Sequence, residues 1–523
     1  MNYRNPIIRG FKPDPSVCKA NGKYYLACSS FHFFPGVPLF ESSDLVNWEQ
    51  IGFCLTREAQ IPLDKASSSG GIYAPTIRYN NGRFYMAAAN VGHEKGGNFY
   101  VWTDDIYGEW SDAVFVDQGG IDPSLFFEDG KTYFMSNGIE PPPSLTIHER
   151  SGEGSLPDEE GKYSIFQCEI DIETGKKLTE SKILWYGTGG RYLEAPHLHR
   201  IGNYYFLLAA EGGTEYGHMV VCARSEKLWG PYKPCPGNPI LTNRNLGGYP
   251  LQGIGHADLI EDDSGNLWMY ILGFRQIQKW LTFHHLGRET CMVPISFSKD
   301  EWLTVTDGIA PLLVETYRIP PDVSQSFQNV LDFKKSGWEK NWQFLRTFKK
   351  ENYLFEKETL KIKSVNDTLD TPSGSPAFIC HFQKEFEMEL NVTVTTLEGE
   401  AGISVYMDEN HHYDLALVKD TDNYKVVLKL NIGDIKYEKS AVSVSHNSAK
   451  FVIRSDSINY HFYYCKDDAE ISLGSAQTRY LSSEVAGGFT GAAIGLYSQG
   501  SGDVFNEFSG FECRYGEPLA KLG

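Results

Sequence analysis

The chain has 523 residues, too many for one ordinary domain and enough for two. Hydrophobic residues make up 41% of the chain and aromatic residues 14%, a composition that suits a β-rich core. The formal net charge is −19 at pH 7, and the sequence contains no Lys/Arg cluster. This charge argues against nucleic acid and anionic membranes as partners and is compatible with a neutral substrate.

Targeting signals and the pattern of cysteines indicate the cellular compartment in which the protein is expected. The N-terminus is not followed by the apolar run of about 7–15 residues that a signal peptide requires, and no stretch approaches the roughly 18 apolar residues of a membrane-spanning helix. The 10 cysteines are scattered without a CxxC pair. This pattern predicts buried free thiols and a cytoplasmic location.

One pattern recurs five times in the first 310 residues: a short polar head, an apolar residue, a turn that contains Gly, and an aromatic strand. Asp14-Pro-Ser-Val followed by Gly22-Lys-Tyr-Tyr-Leu is the first copy. Each copy predicts two strands joined by a hairpin turn. The heads of the five copies are Asp14, Ala74, Asp122, Ala195 and His256.

These repeats predict the architecture of the first part of the chain. Successive heads lie 48 to 73 residues apart, which is room for about four strands, and helical periodicity is nearly absent. A four-stranded unit of this kind is one blade of a propeller, so five units predict a five-bladed β-propeller. The alternative is a β-sandwich in which the similarity of the five segments is accidental.

The repeat stops near Tyr317-Arg-Ile-Pro320-Pro321, where two prolines favour an extended linker. Beyond it, segments such as 386–394 and 424–430 alternate apolar and polar residues, which is typical of half-buried antiparallel strands. We therefore predict an all-β chain, with a propeller over 1–318 and a β-sandwich over 328–523.

The innermost strands of a propeller line one central channel, so equivalent heads should meet at one mouth of it. Asp14, Asp122, Glu194 and His256 would then be neighbours, although they are far apart in sequence. Each residue has a simpler explanation: Asp before Pro often caps a turn, and His256 could be a satisfied turn residue. Glu194 lies between apolar neighbours, where an unpaired carboxylate is costly.

Carboxyl groups that face each other across a pocket suit hydrolysis of a glycosidic bond. One carboxyl group protonates the leaving oxygen, and the other activates water or attacks carbon. A third carboxylate beside the acid raises the pKa of that acid, because two like charges resist ionising together.

At these motifs the sequence resembles glycoside hydrolase family 43 over nearly the whole chain, including the concanavalin-like sandwich that β-xylosidases and α-L-arabinofuranosidases of this family often carry. No single segment is specific, but the segments follow one another in the order found in the family. They include Asn5-Pro-Ile-Ile-Arg-Gly-Phe-Lys-Pro-Asp14-Pro-Ser, Gly70-Gly-Ile-Tyr-Ala-Pro, Gly120-Ile-Asp122-Pro-Ser, Tyr192-Leu-Glu194-Ala-Pro-His, Gly255-His256-Ala-Asp and Leu286-Gly-Arg288-Glu-Thr.

The resemblance implies an inverting, exo-acting hydrolase of terminal β-D-xylosyl or α-L-arabinofuranosyl residues. It implies Asp14 as general base, Glu194 as general acid and Asp122 as the residue that tunes and orients the acid. It also implies five residues that contact the sugar. These are Phe31, Tyr73, His256, Arg288 and Phe489.

Some of these assignments stay open at the level of sequence. Phe31 could equally be a core aromatic. The segment Gly487-Gly-Phe489-Thr-Gly could be a plain glycine turn rather than a loop over the propeller mouth. Two positions depart from the family pattern: Ala195 stands where Gly is usual, and Tyr73 where Trp is frequent. The second departure leaves the shape of the sugar subsite uncertain.

No zinc ligand spacing and no carboxylate-rich calcium loop appears, so we expect no cofactor to perform the chemistry and no protein-bound catalytic metal. A calcium ion near His256 with a structural or electrostatic role remains open, as do the natural oligosaccharide and the oligomeric state, a homo-oligomer included. Two other functions compete: a retaining fructosidase, whose Asn-Asp-Pro-Asn-Gly motif is absent, and a non-catalytic carbohydrate-binding propeller.

Overall fold

The structure, a computed structural model, describes residues 2–92, 96–140, 162–277, 280, 282–421, 423–467 and 469–516. Five antiparallel sheets of four main strands follow one another in the first part of the chain, and the predicted β-propeller is confirmed. Their strands are Ser16–Ala20, Lys23–Ala27, Gly36–Ser42 and Glu49–Leu55; Thr76–Asn80, Arg83–Val91, Gly97–Thr103 and Val114–Phe115; Ser124–Glu128, Lys131–Glu140, Lys162–Ile170 and Lys182–Trp185; Glu194–Ile201, Tyr204–Glu211, Met219–Ser225 and Lys233–Pro234; and Leu251–Glu261, Leu267–Arg275, Glu289–Phe297 and Leu303–Thr304.

The first two strands of each blade form the hairpin that the repeat predicts. In the first blade the turn is Asn21-Gly22, and both residues have positive φ, 52° and 76°. Asp129-Gly130 repeats this geometry in the third blade, with φ of 49° and 75°. Two central residues with positive φ twist the turn in the same sense as the strands, so a short tight hairpin is favoured.

Two short pairings complete the propeller. Gly71–Ile72 pairs with the second strand of the second blade. The N-terminal strand Asn2–Arg4 pairs with Leu313–Glu315, so the two ends of the propeller segment are hydrogen-bonded to each other.

The rest of the chain forms a sandwich of two antiparallel sheets, as predicted. The strands of one sheet are Val330–Asp332, Tyr353–Phe355, Thr359–Lys363, Met388–Thr395, Ser448–Ser455, Asn459–Lys466, Ala469–Gln477 and Phe505–Tyr515. The strands of the other are Phe33–Phe34, Gln343–Leu345, Phe378–Phe382, Glu400–Asp408, His411–Asp420, Asn423–Ile432, Ile435–Val444 and Ala493–Gln499. Their inward-facing residues form the core between the sheets.

Helical structure is short. Ser483–Ala486 is α-helical, and 3₁₀ turns cover Thr306–Gly308, Trp338–Asn341, Lys350–Asn352 and Thr478–Leu481. No helix in the described ranges is long and apolar enough to cross a membrane.

One strand of the sandwich comes from the propeller segment. Phe33–Phe34 follows the first hairpin of the first blade, and it pairs with Gln343–Leu345 at the edge of a sandwich sheet. The sequence did not predict this exchange. Because backbone hydrogen bonds cross from one domain to the other, the position of the sandwich over the propeller is fixed close to Phe31.

A buried cluster of charges also joins the two domains. Arg275 of the fifth blade is fully buried, donates two hydrogen bonds of 2.7 Å to Glu289, and contacts Glu385 of the sandwich at 2.5 Å. Glu385 also pairs with Arg9 at 2.5 Å. Two arginines and two glutamates therefore neutralise one another at the interface.

We predict that Glu385→Ala destabilises the protein by about 3–5 kcal/mol, because the substitution leaves the charges of Arg9 and Arg275 incompletely paired inside the interface. The apparent midpoint of thermal unfolding should fall clearly below that of the wild type. The matched control is Glu389→Ala, which removes an exposed pairing with Arg454 and should cost at most about 1 kcal/mol. Equal midpoints for the two variants would contradict a supporting role for the cluster.

Candidate active site

A pocket of about 560 Å³ opens at the propeller axis. All eight residues singled out in the sequence line it, so the structure brings together positions up to 475 residues apart in the chain. They are Asp14, Phe31, Tyr73, Asp122, Glu194, His256, Arg288 and Phe489.

The heads of the repeats share an unusual backbone conformation. Asp14, Asp122, Ala195 and His256 have φ of 54°, 52°, 55° and 50°, in the left-handed region that residues other than Gly rarely adopt. Each stands just before, or within, the innermost strand of its blade. The common geometry supports the equivalence of these four heads that the repeat pattern predicted.

Asp14 is held in its ionised form. Arg288 Nη1 donates to Asp14 Oδ1 at 2.8 Å, Ser29 Oγ donates to Oδ2 at 2.5 Å, and His256 Nδ1 lies 3.7 Å from Oδ1. Burial raises the pKa of the Asp14 carboxyl, but the guanidinium of Arg288, the imidazole of His256 and the Ser29 hydrogen bond outweigh it, and the net pKa is lowered.

Glu194 and Asp122 behave in the opposite way. Burial raises the pKa of Glu194 well above its usual value, and the neighbouring charges of Asp122 and Asp14 raise it further. Burial also raises the pKa of Asp122, to about 6, although His256 opposes this shift. The surroundings therefore favour the ionised form of Asp14 and the protonated form of Glu194.

Asp122 is tied directly to the segment that carries Glu194. The backbone N–H of Ala195 donates to Asp122 Oδ2 at 3.0 Å. This hydrogen bond fixes the start of the fourth blade relative to the third. The pocket thus presents one proton acceptor, Asp14, and one proton donor, Glu194, with a third carboxylate that orients and tunes the donor.

Aromatic rings form one wall of the pocket. The ring centroids of Phe31 and Phe489 lie 6.0 Å apart in a stacked arrangement, and those of Phe31 and Tyr73 lie 5.0 Å apart. Phe31 is only 2% exposed and also packs on Phe11, so both interpretations offered by the sequence hold: it is a core residue and a pocket residue.

The sandwich supplies part of this pocket through the loop around Phe489, which the sequence left open as a plain turn. Arg288 Nη2 donates to the Phe489 carbonyl at 3.2 Å, and the Phe489 N–H donates to Ser69 Oγ at 2.9 Å. Thr214 completes the contacts of Arg288, whose Nη1 donates to Thr214 Oγ1 at 2.9 Å.

Sequence reasoning missed another contribution of the sandwich, Glu484. Its carboxylate accepts the N–H of His284 at 3.1 Å, lies 2.6 Å from His284 Nδ1, and accepts the Tyr216 hydroxyl at 3.0 Å. All three residues line the pocket. None belongs to a repeat or a motif, so the sequence carried no signal for them.

Asp258 occupies the channel below the pocket, and it too was given no role from the sequence. It accepts hydrogen bonds from Arg78 at 2.7 Å and Ser16 at 2.7 Å, and His199 Nε2 lies 3.0 Å from it. These partners come from the first, second and fourth blades. Asp258 belongs to the fifth blade, so its contacts join four blades at the axis.

A calcium ion near His256 stays an expectation from the sequence. Ca²⁺ takes six to eight oxygen ligands, and the carboxylate of Asp14, 3.7 Å from His256 Nδ1, also accepts hydrogen bonds from Arg288 and Ser29. Within the described residues, no group of three or more His, Cys, Asp or Glu side chains is placed to hold a metal. Arg288 already supplies positive charge beside Asp14.

Comparison with known proteins shows where this architecture occurs. The sequence profile of glycosyl hydrolases family 43 matches residues 3–303, and that of the beta xylosidase C-terminal concanavalin A-like domain matches residues 330–512. A solved structure described as Bacteroides ovatus xyloglucan PUL GH43B superposes with a TM-score of 0.89 at 34% identity, covering 99% of this chain and 100% of that one.

Curated relatives cover almost the whole chain. The non-reducing end alpha-L-arabinofuranosidase BoGH43B of Bacteroides ovatus is 36% identical over 96% of this chain and 92% of its own length. A xylosidase/arabinosidase of Butyrivibrio fibrisolvens is 33% identical over 96% of this chain and 97% of its own length. Both domains, in the same order and over nearly their full length, are shared with these enzymes, and the chain belongs to glycoside hydrolase family 43.

Proposed function

We propose that this chain removes terminal α-L-arabinofuranosyl and β-D-xylosyl residues from hemicellulose-derived oligosaccharides. The observation that carries the proposal is that one pocket holds Asp14, whose surroundings lower its pKa, and Glu194, whose surroundings raise its pKa. Family 43 enzymes hydrolyse glycosidic bonds with inversion, which requires one base and one acid. Relatives named for both sugars support the pair of substrates.

Asp14 acts as the general base in this proposal. An ionised carboxylate with a lowered pKa accepts a proton from water as the water attacks the anomeric carbon. Ser29 and Arg288 hold the carboxylate in one orientation, and Arg288 keeps it charged before water is deprotonated. No covalent intermediate forms, because water rather than Asp14 attacks carbon.

Glu194 acts as the general acid and donates its proton to the departing glycosidic oxygen. Its raised pKa favours the protonated form that an acid requires; burial is the main cause of the rise, and the charges of Asp122 and Asp14 add to it. Asp122 therefore assists without touching the leaving group: it adds a like charge near the acid and anchors the backbone beside it through the Ala195 N–H.

The remaining pocket residues position the sugar. Phe31, Tyr73 and Phe489 offer apolar surface to the ring, while Arg288 and His256 offer polar groups for hydroxyls. The loop around Phe489 covers one side of the pocket, so a terminal residue fits there better than an internal residue of a polymer. This enclosure supports exo-action.

The proposal includes a cytoplasmic location. Nine cysteines are buried free thiols, although the chain has enough cysteines for several disulfides. Burial raises the pKa of thiols such as Cys18 and Cys28, each to about 12, so these residues are inert packing groups in a reducing compartment.

We predict that the purified protein hydrolyses both an aryl α-L-arabinofuranoside and an aryl β-D-xyloside, and that the first sugar released has the inverted anomeric configuration. Proton NMR during the first turnovers distinguishes the two anomers before they equilibrate in solution. Hydrolysis of neither glycoside, or release of the retained anomer, would overturn the proposed function.

We predict that Glu194→Ala slows glycosides with poor leaving groups by about 10²–10⁴-fold and activated aryl glycosides far less, because an activated leaving group departs with little protonation. Asp14→Ala should slow both kinds of substrate by similar factors, because each requires an activated water. Steady-state kcat/KM values for the two substrates test this. Glu215→Ala, which removes an exposed carboxylate at the pocket rim, should not change their ratio.

If Glu194→Ala slowed the two kinds of substrate by the same factor, the assignment of Glu194 as general acid would be wrong. If Asp14→Ala showed the leaving-group dependence instead, the two roles would be exchanged.

We predict that Asp122→Asn moves the alkaline limb of the pH–rate profile to lower pH. Activity requires protonated Glu194 and is lost as the pH rises through the pKa of that residue. Asn retains an oxygen for the Ala195 N–H but removes the negative charge that helps to raise this pKa. The control is Asp129→Asn, which removes the same charge from an exposed hairpin turn of the same blade. An unchanged limb in Asp122→Asn would refute the tuning role.

A further inference from the structure

A second cavity, a groove of about 590 Å³, runs along the seam between the propeller and the sandwich. It shares no lining residue with the catalytic pocket. Its walls come from the segment before the first blade, the first blade itself around 40–50, the connection around 326–329, and the sandwich residues near 341–343 and 381–385.

The groove is positively charged in a strongly acidic protein. Five cationic side chains line it against three carboxylates, whereas the whole chain carries a net charge of −19. The cations are Arg9, Lys12, Lys23, Lys335 and Lys384, and the carboxylates are Glu41, Glu49 and Glu385. Such a local reversal of sign draws anions toward the groove.

Two of the carboxylates are already committed. Glu41 pairs with Lys23 at 2.6 Å, and Glu385 pairs with both Arg9 and Arg275 inside the neutral interface cluster. Glu49 is exposed. Among the described residues, neither Lys12 nor Lys384 has a carboxylate within ion-pair distance, so the two ammonium charges at the inner end of the groove are not balanced.

The surroundings make this imbalance costly. Lys12 Nζ donates to the Phe11 carbonyl at 2.9 Å and lies 5.2 Å from the centroid of the Phe382 ring. Burial lowers the pKa of Lys12 and of Lys384, each to about 8. The charge of Lys384 lowers the pKa of Lys12 further, and the charges of Lys335 and Arg9 lower that of Lys384. His381 Nε2, which is buried beside the groove, has no hydrogen-bond partner in the part of the chain that the structure describes.

We propose that the inner end of this groove is a binding site for a small oxyanion, a phosphate or carboxylate group, held by Lys12 and Lys384. An oxyanion between the two ammonium groups would supply the missing negative charge and accept charge-assisted hydrogen bonds. Lys12 precedes the first blade and Lys384 follows the strand Phe378–Phe382, so the bound anion links the propeller to the sandwich.

Thermal unfolding of the full chain tests the site with inorganic phosphate and with glucuronate, each compared with sodium chloride at equal ionic strength. The oxyanion should raise the midpoint, because a ligand that binds only the folded state stabilises it. The midpoint of Lys12→Met/Lys384→Met should not respond, and Lys299→Met, which removes an exposed lysine of a distant turn, should respond like the wild type. A response to phosphate alone identifies a phosphate site, and a response to glucuronate alone identifies a carboxylate site.

Acetylation followed by peptide mass spectrometry tests the site without any substitution. At a phosphate concentration about ten times the dissociation constant, modification of Lys12 and Lys384 should slow about tenfold while that of Lys299 does not change. The catalytic pocket has no lysine among its described lining residues, so binding there would not produce this protection. Absence of a midpoint shift with both oxyanions, an equal shift in the double variant, or unprotected lysines would overturn the proposal.

Discussion

The ion pair between Arg288 and Asp14 connects the electrostatics of the pocket to its architecture. Arg288 lowers the pKa of Asp14 and keeps a negative charge in the pocket, and that charge in turn helps to keep Glu194 protonated. The same guanidinium donates to Thr214 and to the carbonyl of Phe489. One side chain of the fifth blade thus sets the charge of the proposed base and holds the sandwich loop against it.

The pocket depends on residues of the sandwich, and this explains why the two domains are joined so firmly. Phe489 and Glu484 belong to the sandwich and line the pocket of the propeller, so the shape of the pocket depends on where the sandwich sits. Backbone pairing of Phe33–Phe34 with Gln343–Leu345 fixes this position near the pocket, and the pairing of Glu385 with Arg9 and Arg275 fixes it farther along the seam. A flexible linker between independent domains would not hold an active-site wall in place.

Sequence reasoning succeeded where a pattern repeats and failed where contacts are unique. The five heads revealed the blades, and the blades placed Asp14, Asp122 and His256 together, because equivalent positions in a propeller converge on its axis. Arg288 and Phe489 came from the resemblance to a family, since neither lies in a repeat. The roles of Glu484 and of the Phe33–Phe34 strand could not be predicted, because they depend on how the two domains meet.

Asp258 shows a different limit, because it lies in the same motif as His256 and was still given no role. Its partners Arg78, Ser16 and His199 lie in three other blades, and nothing local in the sequence signals their approach.

The left-handed backbone of the repeat heads links the sequence repeat to the geometry of the pocket. A left-handed backbone costs an L-residue about 1–2 kcal/mol, so Ala195 and His256 adopt it only because the surrounding sheets leave no alternative. At these heads the left-handed backbone turns the chain so that carboxylates from different blades face one pocket, while Asp258 and its partners hold those blades together from below.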